Sequence, residues 1–150
     1  MTVFTLETEQ WIARTPEELF GFFGDATNLE QLTPAWLHFH IKSLPDEMQK
    51  GARIQYRLRL HGIPLRWDSE ITAWEPPLRF VDTQIRGPYR SWVHEHRFER
   101  RDGGTLMRDR VTYEVSGGAV IQKFLVAPDL KRIFQFRKAR LNSIFGVSHE

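Results

Sequence analysis

The sequence has no cysteine among its 150 residues, which excludes disulfides and a cysteine nucleophile and fits a reducing compartment. It also lacks long hydrophobic runs. No stretch approaches the roughly 18 consecutive apolar residues of a membrane span. The opening residues, Met1 to Glu7, have neither the basic region nor the apolar run of a secretory signal. A soluble, cytoplasmic protein without integral membrane association is therefore expected. There is no Ser-His-Asp order, no P-loop and no glycine-rich nucleotide fingerprint. Repeats, low-complexity tracts and linkers are missing too. Nor does one sign of charge dominate: 21 Lys and Arg stand against 19 Asp and Glu. Only the C-terminal segment, with Lys131, Arg132, Arg137, Lys138 and Arg140, has little acidic counterweight. It reads as a solvated helix face, and no nucleic-acid partner is expected. The length fits a single domain, 1–150, that buries roughly 70% of its unfolded surface.

What the chain does have is a distinctive hairpin between Trp92 and Tyr113. Side chains alternate across a strand, so Trp92, His94, His96 and Phe98 share one face, while Val93, Glu95, Arg97 and Glu99 share the other. After the turn, Met107, Asp109, Val111 and Tyr113 form one face. Asp102-Gly103 is a strong two-residue loop signal because both residues tolerate positive φ. With that loop, position 101 pairs with 104 and Asp109 lies across from His96. One face is charged; the other is apolar but carries two imidazoles and a carboxylate. That pattern reads as the wall of a ligand pocket.

Elsewhere the pattern predicts a strand over 3–12, then Thr15-Pro16-Glu17-Glu18 as a capping box opening a short helix stopped by Gly24. Asp25 caps a second short helix through Leu32. Phe39 and Ile41 alternate with His38, His40 and Lys42 in a second strand. From Gly51 the period is two. Ile54, Tyr56, Leu58 and Leu60 face one side, His61-Gly62 turns the chain, and Leu65, Trp67, Ser69 and Ile71 continue that face. A strand over 78–86 precedes the Trp92 hairpin. The last thirty residues are helical in period. Ile133, Phe134, Leu141, Ile144 and Phe145 fall within about 60° of Leu130, and Arg137 falls in the same arc. Val120, Ile121, Phe124 and Leu125 form a shorter apolar patch, and Pro128 kinks or restarts the helix. The order is β-α-α-β-β-β-β-β-β-α.

This order, with Asn28 to Pro34, Phe80-Val81-Asp82, Gly87-Pro88-Tyr89, the Trp92–Phe98 strand, Asp109-Arg110-Val111 and Phe136-Arg137, resembles the START-like or SRPBCC superfamily. That group includes polyketide cyclase/dehydrase and lipid-transport proteins and the birch-pollen-allergen (Bet v 1-like) fold. The resemblance covers nearly the whole chain and departs from it at Ala127-Pro128-Asp129, where uninterrupted helix is expected. It implies an α+β helix-grip fold: a seven-stranded curved antiparallel sheet around a long C-terminal helix, with a hydrophobic cavity between them. It also implies an apolar small-molecule ligand, with cyclisation or dehydration in a minority of members.

The candidate ligand-binding residues are Tyr56, Trp67, Trp92, His94, His96, Phe98, Asp109, Tyr113 and Arg137. Aromatics with a few polar groups suit a pocket, though ordinary core packing also explains them. A guanidinium on a buried helix stripe needs a partner. Arg137 is either a structural partner of Asp109 or an anchor for a ligand's polar end. No catalytic residue is assigned; were the protein an enzyme, His94, His96 and Asp109 would carry acid–base work. A protein-interaction module with a filled cavity is a further alternative. No cofactor is expected. No metal site is expected either, although His38/His40 and His94/His96 are both His-x-His pairs. The second strand is expected beyond the first and last strands from the Trp92 strand, about three spacings or roughly 14 Å away.

Overall fold

Seven strands form one antiparallel sheet: β1 (Phe4–Ile12), β2 (His40–Ser43), β3 (Arg53–Leu60), β4 (Ile63–Glu75), β5 (Arg79–Arg86), β6 (Ser91–Arg101) and β7 (Gly104–Glu114). The computed structural model describes residues 2–146; Met1 and residues 147–150, the ends of the expected 1–150 domain, lie outside the described residues. Spatial order is β1-β7-β6-β5-β4-β3-β2. Strands β2 to β7 are a meander, as tight turns between alternating segments require. A long C-terminal helix packs against the sheet, and the short helices follow β1. The helix-grip architecture expected from the sequence is the observed one.

The sheet order corrects one expectation. β2 does not lie beyond β1; it pairs with β3 at the opposite edge, four strands from β6. The helical segment after β1 reaches from α1 (Pro16–Gly24), which packs on β6, to the 3-10 turn Ala35–Leu37, which packs on β3. That segment carries the chain across the sheet, so the next strand starts at the far edge. β2 also begins later than predicted. His38 adopts a left-handed conformation (φ 49°) after the 3-10 turn, and the strand starts at His40.

Local signals behave as their chemistry demands. Thr15 Oγ1 accepts the backbone N–H of Glu18 at 3.1 Å, with Pro16 in the first turn of α1. Only half of the capping box forms, because the Glu18 carboxylate pairs with Arg14 at 2.7 Å. Asp25 caps the 3-10 helix Ala26–Leu32. In the β6–β7 hairpin, Asp102 (φ 52°) and Gly103 (φ 76°) make the two-residue loop, Arg101 pairs with Gly104, and His96 pairs with Asp109.

The long helix runs as α2 (Gly118–Ile121), a π-helical turn over Gln122–Val126, and α3 (Ala127–Phe145). Pro128 has no N–H and its ring crowds the carbonyl four residues earlier. The wider turn just upstream takes up that conflict, so the helix loosens before Pro128 and continues through it. The apolar patch upstream is largely unburied: Val120 and Phe124 are 66% and 67% exposed, so those side chains add little to the core.

Two apolar clusters make the core. Phe20, Phe80, Phe98, Met107 and Leu141 belong to one; Trp92, Val111, Tyr113 and Leu130 belong to the other. Between them, each element contributes a polar side chain: His94 and His96 on β6, Asp109 on β7, and Arg137 on α3. Gly104 fixes how closely β1 approaches the hairpin. A Cβ there would stand 2.5 Å from the Ile12 carbonyl and 2.6 Å from the Trp11 ring. Gly104→Ala should therefore lower stability by about 2 kcal/mol or more through strain at this contact. Chemical denaturation of the two proteins measures the difference, and equal midpoints would contradict this packing.

Candidate functional site

Alternation along β6 directs His94 and His96 inward, and both are 6% exposed. The hairpin register brings Asp109 across from His96, and the helical period brings Arg137 down from α3. Asp109 Oδ1 is the meeting point. It lies 3.2 Å from His94 Nε2, 3.2 Å from His96 Nδ1 and 3.3 Å from Arg137 Nη2. Thr8 on β1 donates its hydroxyl to Oδ2 at 3.4 Å. The other nitrogen of His96, Nε2, meets Asp82 Oδ2 at 2.8 Å. His96 stacks between Phe80 (centroids 4.0 Å) and His94 (3.7 Å). The Arg137 guanidinium lies over Phe23 and Phe134. Its Nε, by contrast, is buried and has no acceptor among the described residues.

Burial and charge pull the two histidines apart. Desolvation, reinforced by the neighbouring His96, drops His94 to about 4, which leaves it neutral near pH 7. His96 is buried too, yet its hydrogen bonds to Asp109 and Asp82 outweigh desolvation and raise its pKa. Burial opposes ionisation of both aspartates. Arg137 and the histidines still hold Asp109 well below the usual carboxylate range, and His96 chiefly lowers Asp82. The two carboxylates thus face one guanidinium and one imidazole whose protonation they favour.

Beside this cluster, between the sheet and α3, opens a pocket of about 210 Å³. Of the sequence candidates, Tyr56, Trp67, Trp92, His94, His96 and Arg137 line it. The other three do not. Phe98 and Tyr113 pack in the two core clusters, and Asp109 stands behind the histidines. Among the polar residues that line the pocket, Asp82 and Ser69 were not sequence candidates. Asp82 shares the inward face of β5 with buried Phe80, so the same alternation that selected His94 would have selected it. Ser69 shares a 2.8 Å hydrogen bond with the Tyr56 hydroxyl and accepts one of 3.0 Å from Trp67 Nε1, fixing both rings on the wall. His38 and His40 are exposed at the far edge of the sheet, away from the cluster.

Residues 3–145 match the family model described as polyketide cyclase / dehydrase and lipid transport. The chain belongs to this family. Solved structures agree on the fold. Ginseng major latex-like protein 151 from Panax ginseng superposes with a TM-score of 0.73 at 12% identity, over 97% of this chain and 99% of that one. Protein CV1439 from Chromobacterium violaceum gives 0.73 at 15% identity over the same shares. Ara h 8.0201 gives 0.69 at 19% identity, over 96% and 98%. A search of curated proteins returns no match. Within the family's fold, the polar cluster stands at one wall of the pocket that the sheet and helix enclose.

The two histidines should titrate on opposite sides of the free imidazole value, with His94 near 4 and His96 above 6.5. Histidine-selective NMR checks this, and a common midpoint would contradict the geometry. The sign for stability follows. His94 is depressed in the fold, so its contribution is full above about 6.5 and lost as pH falls toward 4, with the aspartates adding to that loss. His96 is raised, so its contribution is present below about 6.5 and lost as pH rises through its folded value.

Proposed function

We propose that this protein binds a compact apolar or aromatic molecule carrying a carboxylate or carbonyl group, in the pocket between the sheet and α3. The observation that carries this reading is Arg137. It lines the pocket, and among the described residues its guanidinium makes one long ion pair, to Asp109. A guanidinium carries more N–H donors than one long ion pair uses, so a ligand oxygen in the pocket would find donors that Asp109 leaves unused. Tyr56, Trp67 and Trp92 supply the apolar surface around it. The volume limits the ligand. A cavity of roughly 150 Å³ takes benzene, so about 210 Å³ suits a fused-ring compound or a short acyl chain better than a two-chain lipid. The family's polyketide and lipid chemistry is consistent with such a ligand.

One observation favours a second reading, an enzyme of the cyclase or dehydratase kind. Adjacent imidazoles pushed in opposite directions, His94 toward the neutral form and His96 toward the charged one, could act as base and acid on a ligand in the same pocket. An open pocket speaks against the third alternative, an interaction module with a filled cavity.

Arg137→Met separates anchor from ion pair. The change should weaken binding of 2-naphthoate, a fused-ring carboxylate of suitable size, by about tenfold or more, and lower stability by roughly 1–3 kcal/mol. Adding Asp109→Asn should restore much of the stability without restoring the affinity. Unchanged probe affinity in Arg137→Met would leave the residue a structural partner only. Native mass spectrometry of protein from its own host would then show whether any small molecule is retained.

A further inference from the structure

We propose that Asp82, His94 and His96 form a binding site for one divalent transition-metal ion of the zinc class. This goes beyond ligand binding and does not depend on it. One ligand atom from each residue lies within 4.8 Å of the others, close enough to converge on a single ion. The backbone sets this up. His94 and His96 alternate on β6, and Asp82 is directly opposite His94 on β5. Two imidazoles and a carboxylate form a nitrogen–oxygen donor set that suits zinc or iron(II), and with no cysteine in the chain no thiolate competes.

Two further features distinguish this cluster from an ordinary ion-pair network. The first is its support. Asp109 contacts Nε2 of His94 and Nδ1 of His96 at 3.2 Å each, so one carboxylate can accept an N–H from both rings. That turns Nδ1 of His94 and Nε2 of His96 away from Asp109; Nε2 donates its proton to Asp82 in the metal-free protein, and an ion would take that proton's place between them. Histidine ligands are held in this way by an outer carboxylate in metal sites generally. Thr8 and Arg137 hold Asp109 in turn. The second is the open side. All three residues line the pocket, so three protein ligands leave at least one coordination position facing the cavity, where a ligand oxygen or water would complete it. To hold a tetrahedral ion at 2.0–2.1 Å the donors must stand about 3.3 Å apart, so the 2.8 Å between His96 Nε2 and Asp82 Oδ2 opens, spacings of up to 4.8 Å close, and the stacked rings turn toward the ion.

His38 and His40, four strands from β6 on the side opposite to the one expected, are too far away to join His94 and His96 around one ion; the carboxylate of the donor set comes instead from Asp82 on the neighbouring strand.

Untagged protein, stripped with a chelator, should bind cobalt(II) at one equivalent, with visible absorption bands of a low-coordinate site, and zinc should displace it. In the wild-type protein, cobalt should shift the imidazole NMR signals of His94 and His96 and leave those of His38, His40 and His61 in place. His96→Gln and Asp82→Asn should each weaken zinc binding at least 100-fold. Asp109→Asn should weaken it about 10–100-fold, as loss of an outer carboxylate does. A His38→Ala/His40→Ala double variant should bind as wild type does. Should a variant fail to fold, the wild-type NMR assignment stands on its own. No one-equivalent binding of either metal, or cobalt shifts confined to His38, His40 and His61, overturns the proposal.

Discussion

A carboxylate buried at the centre of the protein sets the terms for everything around it. Asp109 loses its hydration on folding, which costs several kcal/mol unless other groups replace the water. Each replacement comes from a different element: Thr8 from β1, the histidines from β6 and Arg137 from α3. The helix must sit where its guanidinium reaches the sheet, and a slip of the hairpin by one residue would turn Asp109 toward solvent. One charge therefore ties helix placement to strand register.

The consequence is a layered interior. Along β6 the inward residues run Trp92, His94, His96, Phe98; along β7 they run Met107, Asp109, Val111. Each strand leaves one apolar cluster, crosses the polar layer and enters the other, and α3 does the same from Leu130 through Arg137 to Leu141. Aromatic rings close over the charges on both sides, with Phe80 on His96 and Phe23 and Phe134 against Arg137. Such a layer lets the pocket present polar groups at one place on an otherwise apolar wall, which is how a small cavity distinguishes one end of a ligand from the other.

How much of this was legible in the sequence depends on the range of the interaction. The β6–β7 register was readable because Asp102-Gly103 states it locally, and Arg137 was readable because a helical period can be counted. Asp82 was missed although alternation from Phe80 selects it, since its partner His96 becomes visible only when β5 and β6 are laid side by side. Phe98 and Tyr113 have the right face but the wrong depth, and no pattern along a strand reports depth. The place of β2 depended on the path of the segment before it. The orientation of residues 120–125 depended on a wider helical turn that no periodicity announces.

The edge position of β1 has a kinetic side. Phe4 pairs with Tyr113 and Ile12 with Thr105, so β1 leaves the ribosome about a hundred residues before β7, the strand it pairs with among the described residues. At 5–20 residues per second it waits roughly 5–20 s unpaired. Contacts of such long sequence separation slow folding, because loop closure precedes any gain from them. The strand itself suits the delay. Glu7 and Glu9 interrupt its apolar residues, and charges of this kind discourage a waiting strand from pairing with another chain.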